Sequence, residues 1–434
     1  MVDELGTVRR THLSSILNPS LEGQDVTVMG WIIAVRIHGS ITFVTIQDRH
    51  GPIQVVAKRK VCTDSVRNTL STLKYHSSVA VSGKVAKSER APGGIEIIPH
   101  NVHVFSAVTK IPPFEPAAIS IKNIDTRLES RCIDLRREPL QHIFRARSVV
   151  LSAIRNYFLG NDFTEISTPK IIASATEGGA SLFSIFYYDK EAFLAQSPQL
   201  YKEQLTMSFE KVFEIASIFR AEPSRTNRHL AEAISIDMEE AFVDYNDIMS
   251  QVAEVVRVAA DAVRQYVKQN DGVKFEPPNT DKIPQYTYQE LSERIQDAGS
   301  NMEWGDDLHP SWLRKIKLEG LYFIKDWPMG PKPFYVKTSA KNPKISESFD
   351  LMHNDLELSS GSTRVQDKNI LESNLKKKGM KVASFKHHLS AFEYGMPPHA
   401  GCGIGLERLM MALTDTENIR DAVFYPRDVD RLGP

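Results

Sequence analysis

The sequence contains little cysteine. Its three cysteines, Cys62, Cys132 and Cys402, stand far apart, and no C-x-x-C spacing of the kind that holds zinc is present. Three thiols cannot build a disulfide framework, which argues against the small disulfide-rich secreted class. A reducing, intracellular compartment is therefore expected, and we predict the cytoplasm.

The sequence also lacks long apolar runs. No stretch reaches the ~18 consecutive apolar residues of a membrane-spanning helix. The segment Met1–Arg10 has no apolar core of the kind found in a signal peptide. We therefore expect neither secretion nor a membrane partner, and a composition of 41% hydrophobic and 25% charged residues is typical of a soluble globular protein.

The net charge is close to zero, at −1, but the charges are unevenly distributed. Residues 1–108 hold 12 Lys and Arg against 8 Asp and Glu, whereas the remainder holds 41 against 46. A mildly basic segment on an acidic body is compatible with binding of nucleic acid. The length of 434 residues predicts two domains.

The region from Asp25 to Val104 has a strand-like pattern. Five β-rich runs are separated by turn residues, and one helical stretch, Thr63–Lys74, lies between the third and the fourth. This order predicts a small Greek-key barrel of the OB type over residues 1–108, with another small β-barrel as the alternative. The runs are VTVMGWIIAV, SITFVTIQD, GPIQVVA, SSVAVSGKVAK and GIEIIP.

The segment after the barrel differs from it in composition. Residues 110–117 (KIPPFEPA) are rich in proline and predict a linker, which we place at 109–136. Residues 137–434 interleave helical and β-rich stretches, which predicts one α+β domain with helices at Gln141–Phe158 and Asp247–Asn270. The run GCGIGLERLMMALT predicts a strand, a glycine turn and a helix. Other β-rich runs are VFEIASIF, SIDMEEAFV and FYVKTSA.

An arginine-bearing segment in the middle of the chain suggests a phosphate site. A strand delivers Arg220 and Glu222 in the run FRAE, a polar loop follows, and Arg228 and His229 come after it. Arginine suits phosphate because its planar fork donates two parallel hydrogen bonds. The alternative interpretation is a hairpin with charged surface residues.

A glycine-rich segment near the carboxy terminus gives a second signal. Alternating glycines in Gly401–Arg408 (GCGIGLER) would let a backbone approach a ligand closely, and Arg408 lies near a helix start. The segment lacks the Lys-Ser/Thr pair of a P-loop and the spacing of the dinucleotide fingerprint. Neither of those nucleotide sites is therefore predicted.

Together these two segments resemble motifs 2 and 3 of the class II aminoacyl-tRNA synthetases, and Phe163–Pro169 (FTEISTP) resembles motif 1. Other segments resemble the aspartyl-tRNA synthetases, and the short interval between motifs 2 and 3 is similar to the archaeal and eukaryotic branch. The resemblance covers nearly the whole chain. The further segments are Thr176–Ala180, Gln196–Lys202, Ser346–Asp350, Leu356–Arg364, SIDMEEAF and YGMPPHAG.

The resemblance implies an architecture and an activity. It implies an α+β protein in which an OB-fold that binds the tRNA anticodon precedes a catalytic domain with an antiparallel β-sheet flanked by helices. It implies that L-aspartate is activated with ATP and Mg²⁺ to aspartyl-adenylate, with release of pyrophosphate. The aspartate would then pass to the 3′ end of tRNA(Asp). A homodimer through the motif 1 region is also implied.

For the nucleotide, the resemblance implies two catalytic arginines. Arg220 would bridge the α-phosphate and the amino-acid carboxylate, and Arg408 would hold the γ-phosphate and cover the adenine. Catalysis of this kind rests on positioning and on neutralising phosphate charge. The implied ATP-binding residues are Arg220, Glu222, Arg228, His229, Leu230, Glu357, Gly405 and Arg408. The implied Mg²⁺ ligands are Asp350, Glu357 and Ser360, with a solvated acidic face as the alternative.

For the amino acid, the side-chain carboxylate needs cationic partners away from water, and Lys202 and Arg364 are the candidates. A lysine and an arginine in one pocket favour a charged ligand over asparagine. Two departures from the family pattern stand out. Ala231–Ile234 has no aromatic residue, so we expect an adenine platform that is aliphatic or comes from elsewhere, and Gly361–Thr363 replaces the usual Gly-Gly-Gln or Gly-Ala-Gln. The implied aspartate-binding residues are Glu177, Ser197, Gln199, Lys202, Arg220, Asp237, Ser360 and Arg364.

For the anticodon, the resemblance implies that Phe43 stacks on a base, while a place in the barrel core is the alternative. Trp31 resembles enzymes that charge only tRNA(Asp), whereas Pro92 resembles enzymes that also charge tRNA(Asn). The relaxed form is slightly favoured. The other implied contacts are Gln54 and Glu96, which would read base edges, and Arg36, which would touch the backbone.

Three other functions compete with this interpretation. An asparaginyl-tRNA synthetase shares the barrel and the motifs, but Lys202 and the run SIDMEEAF speak against it. An inactive paralogue that binds RNA would typically have lost phosphate-binding arginines, yet Arg220, Arg228 and Arg408 are present. A related enzyme of amino-acid metabolism would have no need of an anticodon-reading barrel.

Overall fold

The structure is a computed structural model, and it describes residues 6–114, 123–173 and 182–433. Its internal contacts divide the chain into two compact units, Met1–Thr126 and Arg127–Pro434. The division falls inside the segment 109–136 in which the sequence predicts a linker. Among the described residues, no helix is long and apolar enough to cross a membrane.

The first unit is a closed five-stranded barrel with strand order β1-β2-β3-β5-β4. The β3–β5 pair is parallel and the other pairs are antiparallel. A helix lies between the third and fourth strands, so the OB-type barrel and its helix are confirmed. The elements are β1 Asp25–His38, β2 Ile41–Gln47, β3 Pro52–Lys58, α1 Asp64–Thr72, β4 Ser78–Lys87 and β5 Ile95–Ser106.

Alternation along the strands separates the two faces of the barrel. Ile32, Val44, Val55 and Ile97 are fully buried in its core. Because successive side chains of a strand point to opposite faces, their immediate neighbours face outward. The helix α1 closes the barrel through Leu70, which is also fully buried.

The second unit is built on an eight-stranded sheet with order β12-β13-β14-β15-β16-β11-β10-β6. The inner pairs are antiparallel, as predicted, while the pairs β12–β13 and β10–β6 are parallel. The chain between β6 and β10 forms a separate three-stranded sheet with order β7-β9-β8. The strands are β6 Thr164–Glu165, β7 Ile171–Ile172, β8 Ser184–Tyr187, β9 Lys190–Leu194, β10 Lys211–Phe219, β11 Glu232–Ala241, β12 Gln285–Thr287, β13 Leu321–Lys325, β14 Ser348–His353, β15 Leu356–Thr363 and β16 His399–Gly405.

Long helices cover one face of the large sheet. Val150 of α4, Val256 of α6 and Leu409 of α11 share one buried apolar cluster with Ile236 and Met238 of the central strand β11. The helices are α2 Ile124–Glu129, α3 Arg131–Asp134, α4 Glu138–Gly160, α5 Gln199–Phe209, α6 Tyr245–Gln269, α7 Tyr288–Asp297, α8 Pro310–Lys315, α9 Lys368–Lys377, α10 Lys386–Ala391 and α11 Leu406–Thr414. The two predicted long helices are thus confirmed as α4 and α6.

Two local predictions are wrong. The predicted glycine turn does not form, because the glycines belong to β16 and α11 starts at Leu406 directly after that strand. The run FYVKTSA is not a strand either, and only Val336 and Thr338 form isolated bridges. Its backbone hydrogen bonds do not follow a strand pattern, since Val336 N–H donates to the nearby Pro333 O while Lys337 N–H donates to Thr363 O.

Candidate active site

The face of the large sheet opposite α4, α6 and α11 carries a cavity of about 540 Å³. Asp237 on β11 faces this cavity because its neighbours Ile236 and Met238 occupy the core on the other side. The size falls in the range of small-molecule sites. The predicted site residues that line the cavity are Ser197, Gln199, Lys202, Arg220, Glu222, Arg228, His229, Leu230, Asp237, Glu357, Ser360, Arg364, Gly405 and Arg408. Glu177 and the run Thr176–Ala180 that carries it lie outside the described residues.

Four buried charged residues lie together at the cavity, and three of them, Lys202, Asp237 and Arg364, line it. Lys202 Nζ lies 2.9 Å from Asp237 Oδ1 and 3.3 Å from Glu239 Oε2. Arg364 donates to the same Glu239 carboxylate, through Nε at 2.8 Å and Nη2 at 3.1 Å. None of the four residues is more than 4% exposed. We call Lys202, Asp237, Glu239 and Arg364 the charge quartet.

The charge quartet carries no net charge, because each cation is already paired with a carboxylate. Burial would lower the pKa of Lys202, but Asp237 and Glu239 hold it above its usual range, so the amine stays charged. A lysine and an arginine therefore do not by themselves make this pocket positive. Glu239 was missed by the sequence analysis, although its spacing of two from Asp237 along one strand was a signal for a shared face.

The remaining donors of the two cations differ. Lys202 Nζ also donates to Cys402 O at 2.9 Å, so its three N–H groups are surrounded by protein acceptors. The Arg364 guanidinium donates to Glu239 twice and to Ser362 Oγ at 2.6 Å. Two of its five N–H groups are left for a ligand. The Ser362 departure from the family pattern thus supports Arg364 directly.

A second buried cluster lies behind the charge quartet. Gln199 donates from Nε2 to Glu203 Oε1 at 2.6 Å, which orients the amide that lines the cavity. The other Glu203 oxygen lies 3.4 Å from His388 Nε2 and 3.7 Å from His399 Nε2. Burial would raise the pKa of Glu203, but the two histidines hold it well below its usual range. Glu203 and both histidines were not singled out from the sequence.

One end of the cavity collects arginines. Arg408 Nη1 donates to Glu357 O at 3.1 Å, while Arg220 and Arg228 line the same end. Burial lowers the pKa of His229, and Arg408 and Arg220 lower it further, so this histidine is neutral near pH 7. Three guanidinium groups that converge on one end make it suited to a polyanion such as a triphosphate.

Asp350 lies behind this end, although it does not itself line the cavity. It is 5% exposed, and its Oδ1 has no hydrogen-bond partner. Burial raises its pKa to about 6, against the opposing effect of Lys332, whose Nζ lies 3.8 Å from Oδ2. Register places Asp350 opposite Ser360 across β14 and β15. An unpartnered, buried carboxylate oxygen beside a hydroxyl fits a hard cation.

The described residues hold no group of three or more His, Cys, Asp or Glu side chains that could bind a metal alone. Asp350, Glu357 and Ser360 provide two carboxylates and a hydroxyl at most. A magnesium ion there would need further oxygens, and it commonly takes these from substrate phosphates and water. The residues present therefore fit a metal that arrives with a nucleotide.

The stretch after the second motif 2 arginine contributes aliphatic surface. Ala233 and Ile234 line the cavity, as expected from the missing aromatic residue. Ile234 N–H donates to Glu407 Oε2 at 3.0 Å, and Arg147 donates to the other oxygen at 2.9 Å. Glu407 is 2% exposed and was not predicted. The Glu407 carboxylate thus holds the start of β11 against α11, next to Arg408.

Among the glycines of β16, Gly401 is required by packing inside the protein rather than by contact with a ligand. A Cβ on Gly401 would lie 2.1 Å from Glu239 Oε2, so glycine is required to admit the buried carboxylate. At Gly403 a Cβ would lie 3.3 Å from Asp237 Oδ1. At Gly405 nothing lies nearer than 3.9 Å. Close approach to a ligand is thus compatible only with the later two positions, which line the cavity.

The predicted anticodon residues share the outer face of the barrel. Phe43 is half-buried and lies beside the core residue Val44, so it points outward and is not part of the barrel core. Trp31 is 42% exposed, and Arg36 is paired with Phe43 across β1 and β2. Pro92 begins a helical turn, Pro92–Gly94, before β5. Gln54 and Glu96 lie on the same face, and Glu96 accepts a 2.7 Å hydrogen bond from Lys58.

The fold and the cavity define a class II aminoacyl-tRNA synthetase. The family model for tRNA synthetases class II (D, K and N) matches residues 123–429, and the chain belongs to this family. A model for the OB-fold nucleic acid binding domain matches residues 26–105.

Two similar proteins that match this chain over nearly their whole length have the same name. The chain is 44% identical over 432 residues to an "Aspartate--tRNA(Asp/Asn) ligase" of Methanocaldococcus jannaschii, covering 98% of each chain. It is 44% identical over 424 residues to a protein of the same name from Archaeoglobus fulgidus, covering 96% of this chain and 98% of the relative.

Solved structures of two specificities are similar to this one. Asparaginyl-tRNA synthetase of Pyrococcus horikoshii with asparaginyl-adenylate matches with a TM-score of 0.93 and 30% identity, covering 98% of this chain and 100% of that one. Aspartyl-tRNA synthetase of Entamoeba histolytica matches with a TM-score of 0.84 and 27% identity, covering 98% and 93%. The shared fold alone therefore does not separate aspartate from asparagine.

The two glycines Gly401 and Gly405 allow a matched test of the charge quartet. We expect Gly401→Ala to destabilise the protein by about 1–3 kcal/mol, because the new methyl group overlaps both the Glu239 carboxylate and the Met238 carbonyl oxygen of β11. Gly405→Ala should change stability by less than ~0.5 kcal/mol. Urea unfolding of both variants measures the difference. Equal stability of the two would contradict the proposed packing of Glu239.

Proposed function

We propose that the protein is an aspartate–tRNA ligase that charges both tRNA(Asp) and tRNA(Asn). The observation that carries the proposal is one cavity that holds both a cluster of three arginines and Arg364, which has two N–H groups left for a ligand. The names of the full-length relatives support both the amino acid and the relaxed tRNA range. The catalytic residues would be Arg220 and Arg408.

In the first step, a carboxylate oxygen of aspartate attacks the α-phosphorus of ATP, and pyrophosphate leaves. Arg220 would neutralise the α-phosphate while it orients the attacking carboxylate, and Glu222 would accept from the adenine amino group. Arg228, His229 and Arg408 would hold the outer phosphates. Leu230 and Gly405 would complete the nucleotide walls. In the second step, a hydroxyl of the terminal ribose of tRNA attacks the activated carbonyl and AMP leaves.

The amino acid would be held at the charge quartet. The two free N–H groups of Arg364 would donate to the side-chain carboxylate of aspartate. Asp237, with Ser197 and Gln199, would bind the α-ammonium group, and a role for Glu177 stays a prediction. If Lys202 contacts the ligand, it must exchange one of its protein acceptors, since all three of its donors are engaged.

An asparaginyl-tRNA synthetase is the second candidate. The neutral charge quartet and the similarity to the Pyrococcus horikoshii structure both favour keeping it. The amino acid that supports ATP–pyrophosphate exchange separates the two candidates. Exchange with asparagine and none with aspartate would refute our proposal.

The tRNA range is measured by aminoacylation with radiolabelled aspartate on separate transcripts of tRNA(Asp) and tRNA(Asn). We expect both to be charged. Charging of tRNA(Asp) alone would retain the aspartate activity and reject the relaxed range. Failure with both, together with failure of exchange, would favour an inactive RNA-binding paralogue.

We also propose that Mg²⁺ binds with ATP at Asp350, Glu357 and Ser360, where it would offset phosphate charge. Because burial raises the pKa of Asp350 to about 6, protons compete with the metal as the pH falls through that value. Metal binding at the ATP complex should therefore weaken from about pH 7.5 to about pH 5.

Electron paramagnetic resonance of Mn²⁺ with protein and ATP measures this effect. Asp350→Asn serves as the control, because the pH dependence of ATP itself is common to both proteins. Identical pH profiles for the variant and the parent would exclude Asp350 as a ligand.

We propose that the outer barrel face with Trp31, Arg36, Phe43, Gln54 and Glu96 reads the anticodon, near the Pro92 turn. Phe43→Ala should raise the KM for tRNA roughly tenfold, because base stacking on an aromatic ring is lost. ATP–pyrophosphate exchange without tRNA should not change. Ile37→Ala, which removes an exposed apolar side chain from the adjacent strand β1, is the control. An equal loss in both variants would speak against stacking on Phe43.

We further propose a homodimer through the motif 1 region, and a cytoplasmic location. Exposed apolar side chains around this region support the dimer, namely Leu159 at 52%, Ile171 at 47% and Phe186 at 95%. Light scattering should give twice the mass of one 48.9 kDa chain. A mass of one chain would refute the dimer.

A further inference from the structure

A carboxylate bridges two arginines at the phosphate end of the cavity. Asp355 accepts from Arg228 twice, since Nη2 donates to its Oδ1 at 2.8 Å and Nη1 donates to its carbonyl oxygen at 3.0 Å. Its other carboxylate oxygen accepts from Arg314 Nη1. Burial would raise the pKa of Asp355, but the two arginines hold it below its usual value. Neither Asp355 nor Arg314 was predicted from the sequence.

The turn that carries Asp355 is fixed in place. It joins β14 to β15, and Asn354 adopts a left-handed conformation with φ of 54°. Three hydrogen bonds tie Asn354 to the start of β13: its N–H to Gly320 O at 2.9 Å, Gly320 N–H to its Oδ1 at 2.8 Å, and Tyr322 Oη to its carbonyl at 2.5 Å. The side chain of Asp355 is 11% exposed, so its position is set by the fold rather than by solvent.

The second arginine comes from a separate packing unit. Arg314 lies on α8, and the preceding residue, Leu313, is 1% exposed in a cluster with Tyr322 and Ile324 of β13. The side chain of Arg314 itself is 62% exposed. Packing of Leu313 in this apolar cluster thus places the positive charge of Arg314 next to the Asp355 carboxylate.

The bridge stands behind Arg228 as seen from the cavity. Arg228 lines the cavity, whereas Asp355 and Arg314 are not among the described residues that do. Two of the five N–H groups of Arg228 go to Asp355, so three are left for a ligand. Arg314 offsets the charge of Asp355, and the trio keeps a net charge of +1. A carboxylate placed in this way orients Arg228 without filling the space in front of it.

We propose that Asp355 and Arg314 are positioning residues for the outer phosphates of ATP. Asp355 aims the Arg228 guanidinium at them, and Arg314 preserves the positive charge of the site. The inference rests on the proposed use of Arg228 for ATP, but it does not depend on which amino acid is activated.

The test compares two nucleotides that share adenine, ribose and α-phosphate. Calorimetric Kd values for ATP and AMP, both with Mg²⁺, are measured on the full chain. Asp355→Ala should weaken ATP binding roughly tenfold, because charge-assisted hydrogen bonds to Arg228 are lost. AMP binding should change less than about twofold, and it reports that the variant is folded. Arg314→Gln should weaken ATP binding roughly threefold or more, since Asp355 then neutralises Arg228.

A double variant separates positioning from a direct role. In an Arg228→Ala background, Asp355→Ala should weaken ATP binding less than about twofold further, because its effect passes through Arg228. The matched control is Asp430→Ala, which removes the partner of Arg225, a motif 2 loop arginine whose ion pair is exposed. This control should leave both Kd values unchanged.

Each outcome decides between the proposals. Unchanged or tighter ATP binding by Asp355→Ala, equal losses for ATP and AMP, or full additivity with Arg228→Ala would overturn the inference. Failure of the parent chain to bind ATP would overturn it as well. If the ATP-specific loss is found but no exchange with aspartate occurs, the positioning role stands and only the proposed function fails.

Discussion

The catalytic unit depends on the burial of two carboxylates on one strand. Asp237 and Glu239 project from the cavity face of β11, at 4% and 0% exposure, and charges so placed require partners. Lys202 from α5 and Arg364, at the end of β15, supply them at hydrogen-bonding distance. The arrangement also requires a glycine at position 401 of β16, because a side chain there would overlap the Glu239 carboxylate. One electrostatic constraint thus fixes four elements relative to each other.

The same strand also anchors the hydrophobic core. Ile236 and Met238 alternate with the two carboxylates and pack under α4, α6 and α11. A one-residue slip of β11 would bury the acids in the apolar layer and expose the aliphatic side chains, so the register is strongly specified. The register of the core therefore also sets the positions of Asp237 and Glu239. Arg228 and Arg408 differ, since they are partly exposed and are held by the β14–β15 turn and by Glu357 instead.

The sequence predicted those parts that depend on local pattern. Period-two and helical spacing gave the barrel, α4 and α6, and the arginine and glycine segments led to the cavity. It did not predict the partners that only tertiary contact reveals. Glu239, Glu203 and Asp355 act through residues distant in sequence, and a buried acid looks like a surface acid in a single chain. FYVKTSA has β-rich composition, yet its two bridges go to different segments, to Arg364 just after β15 and to Ser346 just before β14, and they do not join into one ladder.

Recognition of a charged ligand by a neutral quartet needs a geometric explanation. Total charge does not select aspartate here, because Lys202 and Arg364 are balanced by Asp237 and Glu239. One N–H group on Nη1 and one on Nη2 of Arg364 are unused, and a carboxylate offers an acceptor oxygen to each of two such donors. A carboxamide offers one acceptor and one donor, and the donor would face a guanidinium that cannot accept. If the quartet holds the amino acid as we propose, preference for aspartate would come from Glu239, which fixes the orientation of Arg364, and the sum of the charges would be secondary.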